Sequence, residues 1–175
     1  MIPRPTHALP ALLLASLGVL WLPAPLRAAP VCDAPAGRGA LRLESTPSGA
    51  RQVCGLQGLK KLPSREIVTA LPSALGMPGE YRWKGVPLRY LVEQLGGGER
   101  SRIQLTALND YAIQIPWADL VRYDPILAYS RDGQPMGIRE KGPLILIYPF
   151  AGNPQLENQE YLNRTIWQVN AIFVR

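Results

Sequence analysis

Short apolar runs broken by Gly, Pro and charged residues fill this chain, and their periods switch between strand and helix spacing. Leu56–Leu62 has helical spacing and stops at Pro63, and Glu66–Leu71 is rich in β-formers. Tyr81–Trp83 reads as a second short strand. Pro87 opens a helix whose apolar stripe is Leu88, Leu91, Val92 and Leu95, and Gly96-Gly97-Gly98 ends it. Ile103–Ala107 and Tyr111–Ile115 are strands around a Leu108-Asn109-Asp110 turn, and Pro116 begins a helical turn through Arg122. Ile126–Arg131 returns as a strand, and Asp132-Gly133 doubles the chain back towards Met136. Leu144–Tyr148 carries four consecutive aliphatic residues, the pattern of a strand covered on both faces. A polar stretch, Asn153–Asn163, precedes a long closing strand, Ile166–Val174. The pattern is α+β, a mixed sheet with short peripheral helices.

The first 28 residues have the order of a secretory leader: Arg4, an apolar run from Ala8 to Leu22, then Pro23, Pro25 and Ala28-Ala29. That run is short for a bilayer span and is interrupted by Pro10, so cleavage after Ala28 and a periplasmic or secreted product with no membrane span are expected. Val31 directly before Cys32 argues against lipid attachment. The leader contains Arg4, Arg27 and the single histidine, His7, so the net charge falls from +6 to +4 and the mature chain has no imidazole. This excludes His-based triads and imidazole metal ligation, and the dispersed cations carry no nucleic-acid signature.

About 147 residues then remain, enough for one domain. Residues 29–50 are rich in Pro, Gly and Ala and read as a loosely packed arm with one short strand, Leu41–Leu43, ahead of a domain at 51–175. In an oxidising compartment Cys32 and Cys54 favour a disulfide that pins this arm, and two isolated cysteines without histidine make a poor metal site.

Polar blocks interrupt the pattern at strand ends: Asn109-Asp110-Tyr111, Arg139-Glu140-Lys141, and Asn163-Arg164 with Trp167-Gln168. Together they offer carboxamides and a carboxylate for two-point hydrogen bonding, cations for an anionic tail and aromatics for stacking, a set that suits a planar heterocycle. Gly142-Pro143 makes the cationic turn stiff. Each block also has a plainer reading, as a turn, a core tryptophan or surface charge.

The segments Thr106–Ala112, Asp132–Met136, Arg139–Leu144 with Tyr148-Pro149, and Asn163-Arg164 with Trp167-Gln168 resemble short exported members of the oxidoreductase molybdopterin-binding domain family, which has the sulfite oxidase fold. The resemblance covers roughly Leu56 to Arg175. It implies a pterin pocket lined by Asn109, Asp110, Tyr111, Arg139, Lys141, Asn163, Arg164, Trp167 and Gln168. Molybdenum-dependent relatives bind the metal through a cysteine after an early strand, where this chain reads Thr69–Leu75. No thiolate is available there, so no molybdenum is expected. The resemblance then implies a periplasmic pterin-binding protein that partners a membrane signalling receptor. The alternatives are a molybdopterin-dependent oxidoreductase, or a subunit of one, and a cofactor-free interaction domain.

Overall fold

The computed structural model describes residues 30–32 and 41–175. The expected leader, 1–28, lies outside the described residues, as does the stretch 33–40 of the expected arm.

Two five-stranded sheets share one apolar core. The first has the order β2-β1-β10-β5-β6, from β1 (Leu41–Ser45), β2 (Arg51–Cys54), β5 (Ile103–Ala107), β6 (Ala112–Ile115) and β10 (Val169–Val174). It is mixed, because β1 runs parallel to β10 while the other pairs are antiparallel. The second is antiparallel. It contains β3 (Arg65–Ala70), β4 (Glu80–Pro87), β7 (Ile126–Arg131) and β8 (Gln134–Pro135), with β9 (Ile145–Ile147) also paired to β7.

Among the described residues, four short α-helices sit at the edges: α1 (Leu56–Leu59), α2 (Leu88–Gln94), α3 (Trp117–Arg122) and α4 (Gln159–Arg164). The α2 stripe packs as its spacing predicts, with Leu88, Leu91, Val92 and Leu95 wholly buried. Leu144 through Ile147 are likewise wholly buried, as an aliphatic run with no polar alternation requires.

The segment read as a loose arm is corrected by β1. Leu41 and Leu43 are fully buried, and β1 lies between β2 and β10 inside the sheet. Alternating Leu-Arg-Leu-Glu is a half-buried strand pattern, read as a strand in the sequence, but the flanking Pro and Gly hid its place inside the sheet. Cys32 and Cys54 form a disulfide with Cα atoms 5.8 Å apart, tying residues 30–32 to the end of β2. Two further elements were not legible as such: β2, which is mostly polar, and α4, which falls largely in the stretch read only as polar, Asn153–Asn163. Helix α4 has no buried residue to give it a stripe; its start is fixed by Asn158, whose Oδ1 accepts from the Glu160 and Tyr161 amides.

Gly85 sits at a register shift between β4 and β7, where a Cβ would overlap Leu127 O and Ala128 Cα. Both obstacles are backbone and cannot rotate away. Gly85→Ala should therefore cost about 1–3 kcal/mol or more in denaturant unfolding. Gly98→Ala, which meets no atom within 4 Å, should stay within about 1 kcal/mol of wild type. Equal effects of the two would remove the steric explanation.

Candidate functional site

A cleft of about 370 Å³ opens where four chain segments meet. Ala74 and Leu75 come from the turn after β3, and Ala107, Asn109 and Tyr111 from the β5–β6 hairpin. Gln159, Leu162 and Asn163 project from α4, while Thr165, Ile166 and Trp167 lie on the approach to β10. Four of the nine expected site residues, Asn109, Tyr111, Asn163 and Trp167, thus line one cavity.

Their polar atoms are partly committed. Tyr111 Oη donates to Asn163 O at 3.3 Å, bridging hairpin and helix, and Asn109 Oδ1 accepts from the Tyr111 amide at 3.3 Å. Gln159 Nε2 donates to Asn163 Oδ1 at 2.8 Å. Among the described residues this leaves the Asn109 and Asn163 amide nitrogens and the Gln159 oxygen free to meet a ligand.

Lys141 adjoins the cleft indirectly. It ends the short helical turn Ile138–Glu140 in a left-handed conformation, φ 66°, before the cis Gly142–Pro143 bond. Its ammonium donates to Leu75 O and lies 4.1 Å from the Trp167 ring centroid. Such a contact is worth roughly 0.5–2 kcal/mol and fixes the ring that lines the cleft.

Arg164 is not a ligand group in this geometry. Its guanidinium bonds Asp119 Oδ2 at 2.9 Å and Glu160 Oε1, with 13% of the side chain exposed against 6% for Asp119. The same Asp119 oxygen accepts from Tyr148 Oη at 2.8 Å, and Tyr123, Tyr148 and Tyr161 pack edge to face beneath it. This network anchors α4, and with it Gln159, Leu162 and Asn163, to the core.

Three other expected residues also leave the cleft. Asp110 is exposed at the hairpin tip, φ 63°, where its amide donates to Ala107 O at 3.1 Å; it serves the turn. Gln168, φ 55°, is a buttress, since Nε2 donates to Ile138 O at 2.9 Å and its backbone bonds Lys141 O and Leu108 N. Arg139 lines a separate groove of about 1120 Å³ with Val53, Leu108, Met136 and Ile138. Glu140 borders it too, but its carboxylate is engaged by Arg131 and the Gly137 amide.

Sequence reasoning missed Ala74, Leu75, Ala107, Gln159, Leu162, Thr165 and Ile166. The readable signal was Asn158, a helix cap that would have put Gln159, Leu162 and Asn163 on one turn of helix.

The region where a metal-binding thiolate would be expected holds other chemistry. Thr69 is fully buried, its hydroxyl accepting from the Ala151 amide at 2.8 Å. Both cysteines are bonded to each other, and no cluster of metal-ligating side chains occurs among the described residues. These donors do not fit a molybdenum centre held through protein sulfur.

Burial, then the neighbouring Asp119 carboxylate, pushes the Tyr148 phenol well above its ordinary range, and burial and Tyr123 push Tyr161 up to about 12. Both phenols ionise less readily when folded, so their stabilisation is whole below about pH 10 and is lost as pH rises towards the folded values. Unfolding midpoints measured between roughly pH 8 and 11 should fall with rising pH, and fall less in Tyr148→Phe. Identical slopes would exclude this phenol as the source.

A family model, the oxidoreductase molybdopterin binding domain, matches residues 42–152. Among solved structures, the sulfane dehydrogenase SoxCD from Paracoccus pantotrophus is similar, with a TM-score of 0.59 at 16% identity. The overlap covers 81% of this chain and 39% of that one, a likeness of fold. None of the curated proteins matches the chain.

Proposed function

Because the chain belongs to the oxidoreductase molybdopterin-binding domain family, we propose that its cleft binds a pterin-type heterocycle and that the protein is an exported pterin sensor for a membrane signalling receptor. The observation that carries this reading is the cleft's make-up: the Trp167 ring, held by Lys141, stands among the free amide nitrogens of Asn109 and Asn163 and the free amide oxygen of Gln159. A flat ring with alternating donors and acceptors on its edge can stack on the indole and bond the amides. Export is supported by the leader-like first 28 residues and by a disulfide, which persists in oxidising compartments.

The receptor role is supported by the second groove. Val53, Leu108 and Ile138, all substantially exposed, converge there, and Arg139 has no acidic partner among the described residues. That chemistry suits a receptor segment presenting apolar side chains and a carboxylate. Gln168 bonds Ile138 O and adjoins Trp167, which links groove to cleft. The second reading, an oxidoreductase or a subunit of one, is favoured by the family's description and the dehydrogenase fold neighbour.

Protein purified from the periplasm should release a fluorescent pterin on denaturation and contain far less than one molybdenum per chain. Stoichiometric molybdenum would favour the oxidoreductase. In fluorescence titrations, Trp167→Ala and Asn163→Ala should weaken pterin binding by roughly five- to a hundredfold, about 1–3 kcal/mol, with the fold checked by circular dichroism. Arg139→Ala and Asp110→Ala should bind as wild type does. Equal affinity across all four would remove the cleft from the site.

The receptor arm is tested separately. Ile138→Asp and Arg139→Glu should abolish signalling output at unchanged pterin affinity, and unaltered signalling would sink the docking role of the groove.

A further inference from the structure

We infer that the cleft recognises a pterin through its ring and an uncharged side chain, and has no seat for the phosphate that molybdopterin carries. The inference rests on the pterin reading above and narrows its ligand. Every described residue lining the cleft is uncharged. A phosphate monoester brings a charge of about −1.5 to −2 and three strong acceptors, which proteins meet with Arg, Lys or clustered backbone amides.

None of the three cations expected to supply that anchor lines the cleft. The Arg164 guanidinium is held by Asp119 and Glu160. Arg139 lies in the other groove. The Lys141 ammonium is bonded to Leu75 O and set against the Trp167 ring. Of the first-turn amides of α4, a conceivable substitute, those of Glu160 and Tyr161 already donate to Asn158 Oδ1, which leaves no cluster of amides for a phosphate. What the cleft offers instead are neutral amides and a tyrosine hydroxyl, partners for carbonyl, amine and hydroxyl groups. The wall formed by the turn after β3 lacks a thiol for the metal, so two features that distinguish the molybdenum cofactor from a simple pterin, its metal and its phosphate, go unmet.

The test compares 6-hydroxymethylpterin with its phosphate ester by fluorescence titration on the full-length exported protein, at low and at moderate salt. The hydroxymethyl compound should bind at least as tightly as the ester, with little salt dependence. An ester that binds tenfold or more tighter, or whose binding weakens steeply with salt, overturns the inference while leaving the pterin reading intact. If neither compound binds, the pterin reading fails and this inference with it. Lys141→Met supplies a second measurement. Because Lys141 acts through the indole, both affinities should drop by the same factor. A larger drop for the ester would show that Lys141 reads the phosphate, which also overturns the inference.

Discussion

The four residues before and at the start of β10 hold the two sheets in one piece. Ile166 O accepts from the Leu146 amide, Trp167 bridges Ile145, Gln168 bonds Lys141 and Leu108, and the Val169 amide reaches Leu144 O. The strand then continues into the middle of the first sheet, between β1 and β5. A single stretch of chain therefore satisfies backbone groups of both sheets. The left-handed conformation of Gln168 lets it turn between them. Trp167 inherits its position from this crossing, which makes the cleft wall as rigid as the sheets it joins.

The opposite wall is anchored differently. Helix α4 is six residues long with no buried side chain, too short and too polar to persist alone. It is held to the body by Arg164, locked onto Asp119, which Tyr148 also bonds from the core, and by the half-buried Tyr161 and Leu162 that pack against the core. A buried ion pair of this kind contributes little net stability because desolvation offsets the Coulomb gain. What it contributes here is geometry, since Arg164 fixes the helix that presents Gln159 and Asn163. The charge that looks available for a ligand in the sequence is the price of placing the neutral groups that remain available in the structure.

This division explains what the sequence made legible. The α2 stripe and the Leu144–Ile147 run were readable because hydrophobic periodicity reports burial directly. The strand β1 was half readable, its alternation visible but its central place hidden, because partnership with a strand over a hundred residues away leaves no local trace. The site was readable as blocks and not as directions. Arg139 and Lys141 stand two positions apart, yet the short helical turn closing on a left-handed Lys141 sends one to the groove and the other to Trp167. Arg164 read as a free cation because its buried partner, Asp119, is 45 residues upstream, and its local partner, Glu160, pairs with it only once α4 forms. Pairings across such separations depend on the fold, so composition alone overstated the charge facing the cleft.

The walls of the cleft also come from independent parts of the chain, and this bears on how a family with metal chemistry can contain a chain whose donors do not suit the metal. The turn after β3 supplies Ala74 and Leu75, on the side where a thiolate would be expected, whereas the indole, the hairpin amide and the α4 amides come from residues 107–167. Removing a soft ligand from the first wall disturbs neither the crossing segment nor the Asp119–Arg164 anchor. Ring recognition by stacking and hydrogen bonding draws on desolvated area and satisfied polar groups, terms that exist without any metal. In the proposed reading, a scaffold of this kind selects a planar heterocycle by these terms alone. In that reading the groove is the outlet for the occupancy of the cleft, because Gln168, the residue after Trp167, holds Ile138 O through its side-chain amide.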